Sequence, residues 1–208
     1  WGPGSSFTFV PVGAALNEKK VTLETPIFCE NGPWRYGGRF LHDHKYYGEI
    51  PVQDVLVKSS NIGAAKIALM LGEEKFFEYI CRFGFGQRTG IELPGEIGGL
   101  LHAPRTWSAI DITRIPMGHG VAVTPLQMVM AMATIANGGK LLAPRIVKSI
   151  VDEHGKVIGQ SEPTFVRQVI SPEAAARVAR ALGGVVTNRG TAVEAAVPGY
   201  TVWGKTGT

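Results

Sequence analysis

Ten residues, Gly199-Tyr200-Thr201-Val202-Trp203-Gly204-Lys205-Thr206-Gly207-Thr208, decide between two folds. Through Thr206 they match the phosphate-loop pattern G-x-x-x-x-G-K-[ST] letter for letter. That loop curls successive backbone N–H groups around phosphate and must run into a helix N-terminus. Here the interval between the glycines is Tyr-Thr-Val-Trp, which is bulky and β-forming. Gly207 and Thr208 are poor helix starters. The other reading is a short strand, Tyr200 to Trp203, entering Lys-Thr-Gly-Thr on a sheet edge. Lys205 then offers a cation, Thr206 and Thr208 offer hydroxyls, and Gly207 lets a substrate backbone approach closely. Strand alternation puts Thr206 and Thr208 on one face and Lys205 on the other, so a twist or bulge is needed for all three to serve one site.

The rest of the chain favours the second reading. Gly4-Ser5-Ser6 before the apolar run Phe7 to Leu16 reads as an N-cap and a helix ending near Glu18. Residues 21–50 are rich in Gly, Pro and Asn and read as irregular with short strands. Pro51 to Val57 gives one or two helical turns. Asn61 to Leu71 (NIGAAKIALML) is a strong helix pattern, followed by a second from Glu73 to Phe83. Residues 84–104 are loop-rich. Thr124-Pro125 opens a helix that Asn137-Gly138-Gly139 closes. Residues 145–151 and 156–158 flank Asp152-Glu153-His154-Gly155 as a hairpin. Ser171-Pro172-Glu173 starts a helix through Ala181 or slightly beyond, and Asn188-Arg189-Gly190 is a turn. Helices first with strands around them, and no linker or repeat, predict one α+β domain over residues 1–208.

Composition narrows the function classes. The 208 residues are 45% hydrophobic and 18% charged, enough to bury a core, which excludes disorder, collagen and coiled coil. The net charge of +4 comes without a basic stripe interleaved with aromatics, so no nucleic-acid partner is expected. The most apolar run, 121–136, is broken by Pro125 and Gln127 and is too short for a bilayer span. Two cysteines, Cys29 and Cys81, are too few for a disulfide framework and read as core residues. His42 and His44, two apart, could share a strand face as metal ligands, but no third ligand is evident. Neither a metal nor a cofactor is expected.

Three polar groups stand out as candidates for chemistry. Ser5 lies at a helix start, where the helix dipole is positive. Ser59-Ser60-Asn61 precedes the helix from Ile62, where capping is the bland reading. The third is Lys205-Thr206-Gly207-Thr208. A serine at a helix start, then Ser-x-Asn, then Lys-Thr-Gly-Thr is the order found in penicillin-binding proteins and serine β-lactamases. The segments FGFGQRTGIELPGEIGGLL (83–101), GHGVAVTPLQ (118–127), ANGGKLLAPRIV (136–147) and GVVTNRGTAVEAAVPGYTVWGKTGT (184–208) closely resemble the transpeptidase domain of class B penicillin-binding proteins. The resemblance covers essentially the whole chain.

The resemblance implies a helical subdomain plus an antiparallel sheet flanked by helices. It also implies a fold incomplete at both ends of this chain, since the family's sheet uses further strands on either side. It implies a D,D-transpeptidase that crosslinks peptidoglycan through a serine acyl-enzyme, acting on stem peptides ending in D-Ala-D-Ala and acylated by β-lactams. Cell-wall synthesis or division proteins are the implied partners. The implied location is the extracytoplasmic face of the bacterial cytoplasmic membrane, reached by an anchor outside this chain. Ser5 matches the nucleophile, Ser59 the proton relay, Asn61 a donor-peptide contact and Lys205 the support of that relay. Thr206, Gly207 and Thr208 match the substrate-binding strand, with Thr206 and Thr208 at the carboxylate. The N–H groups of Ser5 and Thr208 match the oxyanion hole.

One departure is sharp. The family motif is Ser-x-x-Lys, and this chain reads Ser5-Ser6-Phe7-Thr8, with Thr8 where the general-base lysine belongs. No lysine here has a serine three residues before it. A threonine hydroxyl is not basic at neutral pH. Two alternatives therefore stand beside an active enzyme: a non-catalytic scaffold that kept the fold, and the phosphate-loop nucleotide binder.

Overall fold

The computed structural model describes residues 1–207; Thr208, and with it the expected carboxylate and oxyanion contacts at that residue, lies outside them. The fold is organised around helix α1 (Phe9–Asn17), entered through a 3-10 turn over Gly4–Thr8. Every residue from Phe7 to Leu16 is buried, so α1 runs through the core rather than along its surface. Phe7 packs on Phe85 with ring centroids 4.9 Å apart, and Phe9 meets Phe83 edge-on at 5.5 Å.

Along the chain, short strands β1 (Pro26–Phe28), β2 (Trp34–Tyr36), β3 (Arg39–Leu41) and β4 (Glu49–Pro51) precede helix α2 (Val52–Val57). Helices α3 (Asn61–Leu71) and α4 (Glu73–Arg82) follow, joined at Gly72. Then come α5 (Asp111–Arg114) and α6 (Pro125–Ala136). Strands β5 (Lys140–Leu142), β6 (Ser149–Val151), β7 (Val157–Gln160) and β8 (Phe165–Gln168) lead to helix α7 (Pro172–Val185). Among the described residues the strands form four separate antiparallel pairs, β1–β4, β2–β3, β5–β8 and β6–β7. The content is α+β as expected. No central sheet forms from these residues.

The helices pack because their small and branched residues permit close approach. Helix α3 buries Ile62, Gly63, Ala64, Ala65, Ile67 and Ala68 against α1 and α5, while α7 lies against α1, α2 and α6. Helix α6 is fixed by a capping box: the Thr124 hydroxyl accepts from Gln127 N, and the Gln127 carboxamide oxygen accepts from Thr124 N. The buried Gln127 amide nitrogen also donates to the carbonyls of Gln87 and Gly98, which ties the 84–100 loop to the helix.

Three expectations change. The Gly4-Ser5-Ser6 N-cap does not form, because residues 4–8 wind as a 3-10 turn and no side chain caps either it or α1. Residues 200–207 are irregular rather than a strand, and no described strand runs beside them. A strand is a pairing, and β-forming residues alone do not supply the partner. His42 and His44 lie in the loop after β3 and share no strand face.

Candidate active site

The site is built from three segments that the core brings together. The first is the 3-10 turn holding Ser5. Ser5 is half-buried, and among the described residues its hydroxyl makes no hydrogen bond. The neighbouring Ser6 hydroxyl donates to Pro3 O at 2.6 Å. One turn on, Thr8 is fully buried, and its hydroxyl donates to the carbonyl oxygen of Ser5 at 2.9 Å. That proton is directed at backbone, away from the Ser5 side chain.

The second segment is Ser59-Ser60-Asn61, between α2 and α3. Ser60, not Ser59, is the N-cap: its oxygen accepts from Gly63 N at 2.9 Å. Ser59 is released from capping and held in a left-handed backbone, φ +58°, which is costly for a residue with a Cβ. The three residues after Ser59 are tied to Asp43. Its carboxylate accepts from Ser60 Oγ at 2.6 Å, Asn61 N at 2.5 Å and Ile62 N at 3.1 Å. A carboxylate at a helix N-terminus is favoured by the unpaired amides and the dipole. Burial nonetheless raises the Asp43 pKa, and the hydrogen bonds from Ser60, Ile62 and Asn61 only partly oppose it. The Asn61 side-chain nitrogen donates to His42 O at 3.0 Å, so the 42–43 loop holds the start of α3.

The third segment is 201–207. Its Trp203 lies against Gly183 of α7. Lys205 turns inward, and its ammonium donates to Ser59 Oγ at 2.7 Å and to Thr206 O at 3.1 Å. Burial lowers the Lys205 pKa from 10.5 to about 8, because an ammonium out of water is disfavoured. Gly207 passes so close to the first segment that a Cβ there would stand 2.7 Å from Pro3 O and 3.2 Å from Ser6 Oγ. The Thr206 and Thr191 hydroxyls are 2.6 Å apart.

Thus Ser59 and Lys205, 146 residues apart, are in direct contact, and Gly207 adjoins the turn of Ser5. Asn61 sits on the same turn as Ser59, and Thr206 follows Lys205. Two groups at the site were absent from the candidates. Asp43 gave no sequence signal, as its loop has no periodicity. Thr191 lies within residues 184–208 but carries no motif of its own. The phosphate-loop reading is overturned: Lys205 is half-buried and turned onto the Ser59 hydroxyl, and among the described residues no helix begins after Ala195. The described residues also hold no cluster of three or more metal-binding side chains, and no helix among them is long and apolar enough to cross a membrane.

A half-buried lysine on a serine hydroxyl, with Gly207 adjoining the turn that carries a second serine, is an arrangement that can support acyl transfer. Residues 2–208 match the family model of the penicillin binding protein transpeptidase domain, and the chain belongs to that family. It is 39% identical over 209 residues to stage V sporulation protein D of Bacillus subtilis, covering 99% of this chain and 32% of that protein. To the peptidoglycan D,D-transpeptidase FtsI of Escherichia coli it is 31% identical over 207 residues, covering 99% of this chain and 33% of the relative. Penicillin-binding protein 3 of Mycobacterium tuberculosis, solved with ampicillin, superposes with a TM-score of 0.90 at 33% identity, over all of this chain and 47% of that one. The chain spans about a third of the length of the curated relatives it matches.

Proposed function

We propose that this chain is the acyl-transfer part of a peptidoglycan D,D-transpeptidase, with Ser5 as nucleophile and the Ser59–Lys205 pair as its remaining base. The observation that carries this is the 2.7 Å contact between Lys205 Nζ and Ser59 Oγ. Ser5 Oγ attacks the penultimate D-Ala carbonyl of a stem peptide. Its proton passes to Ser59, backed by neutral Lys205, and returns to the amine of the departing D-Ala. The acyl-enzyme then reacts with an amine of a neighbouring stem. A β-lactam enters the same first step, as ampicillin binding by a structural relative supports. Asn61 contacts the donor peptide. Thr206 and Thr208 bind the carboxylate, and the N–H groups of Ser5 and Thr208 stabilise the oxyanion. The proposed setting is the extracytoplasmic face of a bacterial cytoplasmic membrane, alongside other cell-wall synthesis proteins.

Thr8 slows this chemistry. Loss of a positioned general base costs about 10²–10⁴-fold. The full burial of Thr8 and its bond to the Ser5 carbonyl also favour a second reading, a penicillin-binding scaffold without turnover. Release of D-Ala from a D-Ala-D-Ala stem peptide by the full-length protein separates the two. Release that disappears in Ser5→Ala supports the enzyme. No release, with the stem peptide still bound, supports the scaffold.

A further inference from the structure

Thr191 has no part in the roles above, yet its hydroxyl is 2.6 Å from that of Thr206, and either oxygen can donate. The loop that brings it there is fixed at several points. Arg189 Nη2 donates to Asp54 Oδ1 of α2 at 2.7 Å. Ala192 N donates to Val185 O at 2.9 Å and Gly190 N to Thr187 O at 2.8 Å. Gly190 lies so tightly on α7 that a Cβ would meet the Val185 carbonyl oxygen at 2.1 Å, so only glycine fits. The contacts close a ring. Asp54 holds Arg189, the loop carries Thr191 to Thr206, Thr206 adjoins Lys205, and Lys205 returns to Ser59 just past the end of α2.

Hydroxyl chemistry gives the ring a direction. A carboxylate only accepts hydrogen bonds, whereas a hydroxyl has one proton to give and lone pairs to receive with. When Thr206 gives its proton to a ligand carboxylate, it can engage Thr191 only by accepting. Thr191 must then be the donor. We propose that Thr191 is a specificity-determining positioning residue: it donates to Thr206 and so commits the Thr206 proton to a ligand carboxylate. A hydroxyl that accepts one bond becomes a stronger donor in the next. The pair therefore favours an anionic ligand over a neutral one of the same shape. This inference rests on the proposed assignment of Thr206 to the carboxylate.

The test measures dissociation constants of a penicillin and of its methyl ester for the full-length protein carrying Ser5→Ala, so that no covalent bond forms. Ligand-observed NMR titration suits weak binding. Thr206→Val is expected to weaken the acid about tenfold or more, as for a hydrogen bond to a charged group, and the ester far less. Adding Thr191→Val instead is expected to weaken the acid about three- to tenfold, the worth of one neutral hydrogen bond, and the ester less than twofold. Thr191→Ser, which keeps the hydroxyl, is expected to match the parent. If Thr206→Val acts on the acid alone while Thr191→Val affects acid and ester equally, or neither, the proposal is overturned and the carboxylate assignment stands. If Thr206→Val shows no preference for the acid, the assignment fails and the role of Thr191 fails with it.

Discussion

Raising the pH from 7 to 9 is expected to accelerate acylation of Ser5 about tenfold and then to level off. Lys205 sets this dependence. Burial lowers its pKa from 10.5 to about 8, and its nitrogen faces Ser59 Oγ at 2.7 Å. Only the neutral amine can accept a proton. With a pKa near 8, about a tenth of the amines are neutral at pH 7 and about nine tenths at pH 9. An ordinary solvated lysine would behave differently: its neutral fraction would rise about a hundredfold over the same range and continue upward. The assay is the second-order rate of labelling by a fluorescent penicillin in the full-length protein, with drug hydrolysis measured in parallel at each pH. Lys205→Met is expected to remove the pH-dependent limb, while retaining the fold. A flat profile, or a rate that climbs tenfold per pH unit past pH 9, would refute the role of a desolvated Lys205. So would a Lys205→Met variant with the unchanged profile.

Three further outcomes follow from the same geometry. Thr8→Lys restores an amine one turn from Ser5 and is expected to raise β-lactam acylation by about 10²-fold or more, read by the same labelling rate; an unchanged rate would show that another group already supplies the base. Asp43→Ala leaves the Ser60 hydroxyl and the Asn61 and Ile62 amides without their acceptor. It is expected to cost about 1–3 kcal/mol of stability and to slow acylation together, and normal acylation in a destabilised variant would separate Asp43 from the site. Lys205 also has a stability signature. Its folded-state pKa lies below its unfolded value, so the cost of burying the ammonium is full below pH 8, fades between about 8 and 10.5, and is gone above. At about 1.4 kcal/mol per pH unit that cost is about 3 kcal/mol, partly offset by the bonds to Ser59 and Thr206. Lys205→Met is therefore expected to stabilise the domain by about 1–2 kcal/mol at pH 7 in denaturant unfolding, and to lose that advantage by pH 10.5.

The sequence was most legible where the signals were local. Helix α3 begins and ends at the expected residues because Ser60 caps it and its apolar face is continuous. Thr124-Pro125 marked α6 for the same reason, through a box closed within four residues. Helix α7, expected through Ala181 or slightly beyond, runs to Val185. Gly183 and Gly184 continue the helix where it packs against Trp203 and Val57, and at Gly184 an added Cβ would stand 2.7 Å from a Val57 methyl. The functional residues needed the family resemblance as well as the residues, because Ser59 and Lys205 meet only after the chain folds. Asp43 was not legible, since its partners are 17 to 19 residues away across a loop without period. Nor was the serine that caps: Ser59 and Ser60 are equivalent by propensity, and only the backbone at Ser59, φ +58°, separates the capping serine from the one that meets Lys205. The strand expected over 200–207 required a neighbour that the described residues do not provide.

The most direct test of a serine acyl-transfer site is the mass of the full-length protein after long incubation with a penicillin at pH 8.5, followed by peptide mapping. One adduct is expected, formed slowly, mapped to Ser5, lost in Ser5→Ala and formed faster in Thr8→Lys. An adduct on another residue, or no adduct even with Thr8→Lys, would contradict that expectation.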